Sequence, residues 1–107
     1  MKGMPGGMQK FIQQANQLQS KIKKFQEEFA TREFEATSGG GAVTVKVNGD
    51  NKVTALAIKE DVMKSGDVEM LQDLVLTAVN EAIRIAKETS ETEMNKLTGG
   101  FSMPGMM

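Results

Sequence analysis

Residues 8–32 read MQKFIQQANQLQSKIKKFQEEFATR, and this stretch limits the folds that the chain can adopt. Apolar side chains recur there at alternating spacings of three and four, at Met8, Phe11, Ala15, Leu18, Ile22, Phe25 and Phe29. The residues between them are polar and helix-tolerant, and no Gly or Pro interrupts the run. The pattern predicts one long amphipathic helix with a heptad stripe along one face.

The next segment changes to the two-residue period of β-structure. β-branched residues dominate it, and the turn signals Ser38–Gly41 and Asn48–Asn51 divide it into strands at 33–37, 42–47 and 52–58. We expect a three-stranded antiparallel meander. Alternation in the last strand places one set of side chains on one face (Thr54, Leu56 and Ile58) and the other set on the opposite face (Val53, Ala55 and Ala57). Because both sets are uncharged, we expect a second copy of the chain to help cover the sheet.

A second long helix follows the strands. A short helical turn fits residues 60–64, Asp67 is a suitable N-cap, and the spacing of three and four returns from Val68 to Thr89. This helix is expected to end near Leu97. We expect the buried seam to comprise Leu18, Ile22, Phe25, Leu71, Val75, Ala78 and Ala82, packed over Leu56 and Ile58.

Helix lengths then predict an elongated molecule. The two helices span about 37 and 46 Å at about 1.5 Å per residue, whereas a compact domain of this size is about 33 Å across. The expected fold is therefore α+β: a single domain over residues 1–107, in α-β-β-β-α order, with a three-stranded antiparallel sheet and two projecting helices. Residues 1–7 and 98–107 are expected to be flexible tails.

The composition argues against an enzyme. The 107 residues include no Cys and no His, which removes the usual nucleophile, general base and transition-metal ligands. We therefore expect no catalytic residues, no metal, no cofactor and no small-molecule substrate. The sequence carries no secretion signal and no run long enough to span a membrane, so we expect a cytoplasmic protein.

Charge is unevenly distributed along the chain. Residues 1–30 carry five Lys against two Glu, whereas residues 60–107 carry four basic and nine acidic groups. This asymmetry permits a polyanion site on the first helix without requiring one, because charged faces are usually just solvated faces.

The sequence closely resembles the YbaB/EbfC family of bacterial nucleoid-associated proteins, over nearly the whole chain. The order and spacing of several segments carry the resemblance: residues 8–10 and 22–28, 38–43 and 47–49, 69–75 and 78–82, and 103–106. The resemblance implies a cytoplasmic homodimer with helical arms in a tweezer-like arrangement. It also implies binding of duplex DNA in the nucleoid, with effects on DNA conformation and gene regulation.

The residues themselves indicate how such binding would work. Without Trp or Tyr to stack on bases, we expect contacts from Lys and Arg to phosphates, which carry little sequence information. The candidate DNA-binding residues are Lys10, Lys21, Lys23, Lys24 and Arg32, with Arg84 and Lys87 as weaker candidates.

One alternative stays open. Helix–hairpin–helix chains with heptad stripes also form prefoldin-like clamps, in which apolar tips bind client proteins and DNA has no role. An enzyme is the third and most distant interpretation, because the sequence shows no means of holding a cofactor.

Overall fold

The computed structural model describes residues 6–99 and has the predicted order of elements. The elements are α1 (Gly6–Ala30), β1 (Glu33–Ser38), β2 (Val43–Asn48), β3 (Val53–Ile58), α2 (Glu60–Lys64) and α3 (Val68–Thr98). The α-β-β-β-α prediction is confirmed, including the short helical turn before the second long helix. Most of the two predicted tails, residues 1–5 and 100–107, lie outside the described residues.

Local signals in the sequence account for the element boundaries. The Asp67 side chain accepts a hydrogen bond of 3.0 Å from the backbone N–H of Met70, so it caps α3 as predicted. Between β1 and β2, the chain reverses through Gly39, Gly40 and Gly41, whose φ angles of 60°, 68° and 94° favour glycine. The turn residues therefore fix where the first hairpin closes.

The sheet is antiparallel in the order β1-β2-β3, but its second pairing departs from simple alternation. Lys46 pairs with Ala55 and Val47 with Val53, so Thr54 is an extra residue in a bulge. Because directly opposed residues share a face, Val53 lies on the same face as Val47. The expected grouping of Thr54 with Leu56 is therefore wrong. The Thr54 hydroxyl instead donates to Glu33 at 2.9 Å.

The core forms where α3 crosses β1 and β2. Small residues on the helix let it approach the sheet closely, and they pack with β-branched and aromatic side chains in one cluster: Phe29, Phe34, Ala36, Val43, Val45, Val47, Ala78, Ala82 and Ala86. Buried Ala78 and Ala82 confirm part of the predicted seam. Phe25, Leu71, Val75 and Ile58 are only partly buried, and they pack against this cluster.

Three of the residues predicted to be in the core lie outside the core cluster. Leu56 is 50% exposed, because α3 covers β1 and β2 and leaves the outer strand uncovered. Leu18 and Ile22 are half-buried and do not belong to the core cluster. The opposite face of the sheet, which includes Ala55 and Ala57, is open in the single chain, so its coverage by a second copy stays a prediction.

The end of α1 is held against the sheet by close contacts. A Cβ atom on Gly49 would overlap the carbonyl oxygen of Phe29, so only glycine fits there. The Gly49 N–H also donates to the carbonyl of Arg32 at 3.1 Å. The Phe29 ring stacks with Phe25 and Phe34 at centroid distances of 5.3 and 5.2 Å. These contacts fix the direction in which α1 leaves the sheet.

The result is a strongly elongated molecule. Its radius of gyration is 21.4 Å and its dimensions are 79 × 26 × 16 Å, against about 13 Å expected for the radius of a compact domain of this length. Phe25 is the first residue of α1 that packs against the core cluster. We call residues 6–24 the arm and residues 25–99 the body.

Candidate nucleic-acid interface

The arm is a continuous helix that carries only positive charge. Its charged residues are Lys10, Lys21, Lys23 and Lys24, and it contains no Asp or Glu. All four lysines are exposed, as predicted. Within the described part of the chain, none of them lies within ion-pair distance of a carboxylate. The arm therefore has a net charge of +4, and the nearest acidic residues of α1, Glu27 and Glu28, lie one turn beyond Lys23 and Lys24.

Three of these lysines share one side of the arm. With 100° per residue, Lys10, Lys21 and Lys24 follow the same flank of the apolar stripe, and Gln14 and Gln17 lie between them. We call Lys10, Lys21 and Lys24 the lysine flank. It is about 21 Å long, which matches about six successive phosphates of one DNA strand. Lys23 lies on the other side of the stripe, as the sequence indicated.

Arg32 lies at the junction of the arm with the body rather than on the arm. Its guanidinium donates to Glu93 on α3 at 2.8 Å. The same group lies over the rings of Phe29 and Phe34, 5.3 and 5.4 Å from their centroids. Arg32 therefore joins the end of α1 to α3, and any contact with DNA would compete with this pairing.

The basic residues of α3 are surrounded by acidic ones. Arg84 forms ion pairs of 2.6 Å with both Glu81 and Glu88. The hydrogen bonds from Arg84 to Glu81 and then to Glu88 raise the pKa of Arg84, and the bond to Glu81 lowers the pKa of that carboxyl below its ordinary value. Lys87 is exposed, but it is adjacent to Glu88 in the chain. The positive charge of α3 is thus largely balanced on its own surface.

Large apolar side chains are exposed at two places, and of these residues only Leu56 belonged to the predicted core. Val53 and Leu56 on β3 are each 50% exposed, and Leu76 on α3 is 61% exposed. Leu76 lies about 200° around the helix from Leu74, whose side chain contacts Gly39 at the end of β1. The second place is the arm, where three side chains of the stripe and its edge are uncovered: Met8, Phe11 and Ile12. The absence of charge from the whole of β3 is the sequence signal from which coverage of the sheet by a second copy is predicted.

No other feature of the described residues suggests a chemical site. Residues 6–99 hold no group of three or more His, Cys, Asp or Glu side chains that could bind a metal ion. The depressions on the surface are open and shallow, and one lies where Phe25 meets the end of α3 at Glu93, Lys96 and Leu97. In the part of the chain that the structure covers, neither long helix has a segment apolar enough to cross a lipid bilayer.

Comparison with known proteins gives consistent matches over nearly the whole chain. The sequence profile of the YbaB/EbfC DNA-binding family matches residues 4–101. A nucleoid-associated protein of Clostridium novyi is 49% identical over 106 residues, which are 97% of this chain and 93% of that protein. One from Thermoanaerobacter pseudethanolicus is 47% identical over 97% of this chain and 96% of the relative.

The fold also has a solved counterpart. The crystal structure of an uncharacterized Helicobacter pylori protein superposes with a TM-score of 0.61 at 22% sequence identity. The match covers 73% of this chain and 90% of that one. At this identity the likeness establishes the fold alone.

Proposed function

Because the chain belongs to the YbaB/EbfC DNA-binding family, we propose that it binds duplex DNA and that the arm supplies the main contacts. One observation carries the choice of surface: the arm has four exposed lysines and no acidic residue, whereas α3 balances its basic groups with carboxylates. DNA phosphates are attracted to the first surface and are repelled by the surroundings of the second. Lys10, Lys21, Lys23 and Lys24 are the proposed principal contacts.

The chemistry of these contacts determines the specificity. Lysine ammonium groups pair with phosphates, which position a protein on the duplex without reading its sequence. The amide side chains of Gln14 and Gln17 lie beside the lysine flank and are the polar groups available for base edges. We therefore propose weak sequence preference, with discrimination arising mainly from the shape of the groove. Arg32, Arg84 and Lys87 are proposed as secondary contacts.

The same proposal includes a homodimer. The edge strand β3, Val53–Ile58, contains no charged residue and no Pro, and it leaves Val53 and Leu56 uncovered. Exposed edges of this kind tend to pair with another chain, and the opposite edge β1 differs because it carries Glu33 and Glu35. A second copy on β3 and the adjacent flank of α3 would cover Val53, Leu56 and Leu76 together. Two arms would then project from one dimer.

The names of the relatives suggest a cellular role for DNA binding. Both relatives described above are named nucleoid-associated proteins, and we propose that this chain likewise acts on the nucleoid. Two arms that contact phosphates at separate points can constrain the path of the duplex, so we propose that binding alters DNA conformation. Effects on gene expression would follow from that change.

A mobility-shift titration over a salt series tests the proposal. Three contacting residues per chain give about six phosphate contacts in a dimer, so the logarithm of affinity should fall against the logarithm of salt with a slope of roughly −5. Unrelated duplex sequences should give similar affinities. Failure to bind duplex at low salt, together with suppression of aggregation of an unfolded client, would favour the prefoldin-like alternative.

A further inference from the structure

The arm has an apolar stripe that its own chain does not cover. Met8, Phe11 and Ile12 are 47%, 58% and 40% exposed, and the stripe continues through Ala15 and Leu18 at heptad spacing. In proteins most of the stability of a helix comes from packing of its apolar face rather than from intrinsic propensity. The stripe therefore has the pattern of a coiled-coil seam without its partner helix.

We infer that the partner is the arm of a second copy of this chain, packed antiparallel about Ala15. In this register Met8 of one arm lies opposite Ile22 of the other, and Ile12 lies opposite Leu18, with Phe11 one residue away. The small side chain at the centre lets the two helices approach closely where they cross the symmetry axis. The seam is thus self-complementary over about 21 Å.

The position of the body selects the antiparallel direction. From Phe25 onward α1 is already occupied by its own α3 and sheet. A parallel pair would bring the two bodies side by side at the same end of the seam. An antiparallel pair places the bodies at opposite ends and uses only the free part of each helix.

Charge is neutral at the centre of the seam and repulsive towards its ends. Across an antiparallel seam the lysine flank of one arm lies beside the same flank of the other, because equivalent heptad positions face each other. Near the crossing point these flanks carry Gln14 and Gln17, which are uncharged. Lys21 of one arm lies opposite Gln9 of the other and one residue from Lys10. The resulting approach of Lys10 and Lys21 at each end of the seam opposes pairing, so pairing should strengthen as salt screens these charges.

Pairing of the arms would also extend the DNA-binding surface, a consequence that rests on the proposed function. Both lysine flanks lie on one face of the paired arms, and each paired unit then presents six lysines instead of three. This contact is separate from the proposed dimer at β3. A dimer has two arms, so the two contacts together would link dimers into longer assemblies.

Cysteine cross-linking without DNA tests the pairing directly. The natural chain has no Cys, so a single thiol gives an unambiguous signal. Ala15→Cys should form covalent pairs on mild oxidation, because the two Ala15 positions face each other. Gln13→Cys, on the opposite side of the helix, is the matched control and should remain uncoupled. Two results would overturn the proposal. One is cross-linking of the Gln13→Cys control to the same extent as Ala15→Cys. The other is an Ala15→Cys thiol that is protected from alkylation but does not cross-link.

Sedimentation of four proteins separates the two contacts. Wild type should form concentration-dependent assemblies larger than dimers, and Phe11→Glu should leave only dimers. Leu56→Glu should leave pairs joined through the arms, and the double variant should be monomeric. Circular dichroism confirms that each variant is folded. Equal masses for wild type and Phe11→Glu would contradict arm pairing, whatever the DNA titrations show.

Discussion

The two ends of α1 carry the same apolar spacing but lie in different surroundings. In the body, Phe29 is buried at 6% exposure and packs between Phe25 and Phe34. In the arm, Phe11 continues the same stripe and is 58% exposed. The difference shows that one heptad pattern has two outcomes: its second part attaches the helix to the sheet, and its first part stays exposed in the single chain.

Truncation of one phenylalanine at each end should give the largest contrast in stability. Phe29→Ala removes a buried ring from the core and should lower the free energy of unfolding by about 3–5 kcal/mol. Phe11→Ala removes an exposed ring and should change it by less than about 1 kcal/mol. Urea unfolding at a protein concentration low enough to limit self-association measures both. Similar losses for the two variants would show that the arm is part of the folding core.

The contrast between Phe11 and Phe29 also shows what could not be predicted from the sequence alone. Spacing alone predicted the helix, the three strands, the short turn and the Asp67 cap, because each depends on local periodicity or on a turn residue. Spacing did not show which part of the stripe is covered, since that depends on where α3 ends. The bulge that moves Val53 to the face of Leu56 arises from pairing between strands, so alternation within one strand could not reveal it.

Leu56 tests whether the body assembles through β3. Leu56→Glu places a charge in the proposed dimer contact and should weaken the dimer by on the order of 2–4 kcal/mol. The comparison is best made with Phe11→Glu present in both proteins, so that only the contact at β3 is measured. Analytical ultracentrifugation should show a dimer before the change and a folded monomer after it. A dimer that persists would move the interface away from the exposed edge of the sheet.

Arg32 tests the junction between the arm and the body. Arg32→Gln removes the ion pair with Glu93 and the contacts with the rings of Phe29 and Phe34. Partly exposed contacts of these kinds contribute modestly, so the free energy of unfolding should fall by about 1 kcal/mol. Glu93→Gln is the matched control, because it removes the ion pair and leaves the cation–π contacts. If Arg32→Gln left stability unchanged but weakened DNA binding, Arg32 would be a DNA contact rather than a structural one.

Only part of the candidate DNA-binding site could be predicted from the sequence. The exposure of Lys10, Lys21, Lys23 and Lys24 could be anticipated, because all four lie off the apolar stripe. The pairing of Arg32 with Glu93 could not, since those residues are 61 positions apart and meet only after folding. The ion pairs of Arg84 with Glu81 and Glu88 could have been predicted from the sequence, because these residues are three and four positions from Arg84 on one helix.

The most direct test of the account compares two double variants of equal charge. Lys21→Gln with Lys24→Gln removes two lysines from the arm, and Lys59→Gln with Lys64→Gln removes two from the body near α2. Neither pair should change the free energy of unfolding by more than about 0.5 kcal/mol.

Their salt-dependent titrations with duplex DNA should differ clearly. The arm variant loses about four phosphate contacts per dimer, so the slope of log affinity against log salt should become less steep by roughly 3.6. The body variant should keep the slope of the wild type. Equal effects of the two variants would show that net charge, and not the arm, controls binding, and an unchanged slope for the arm variant would contradict the account.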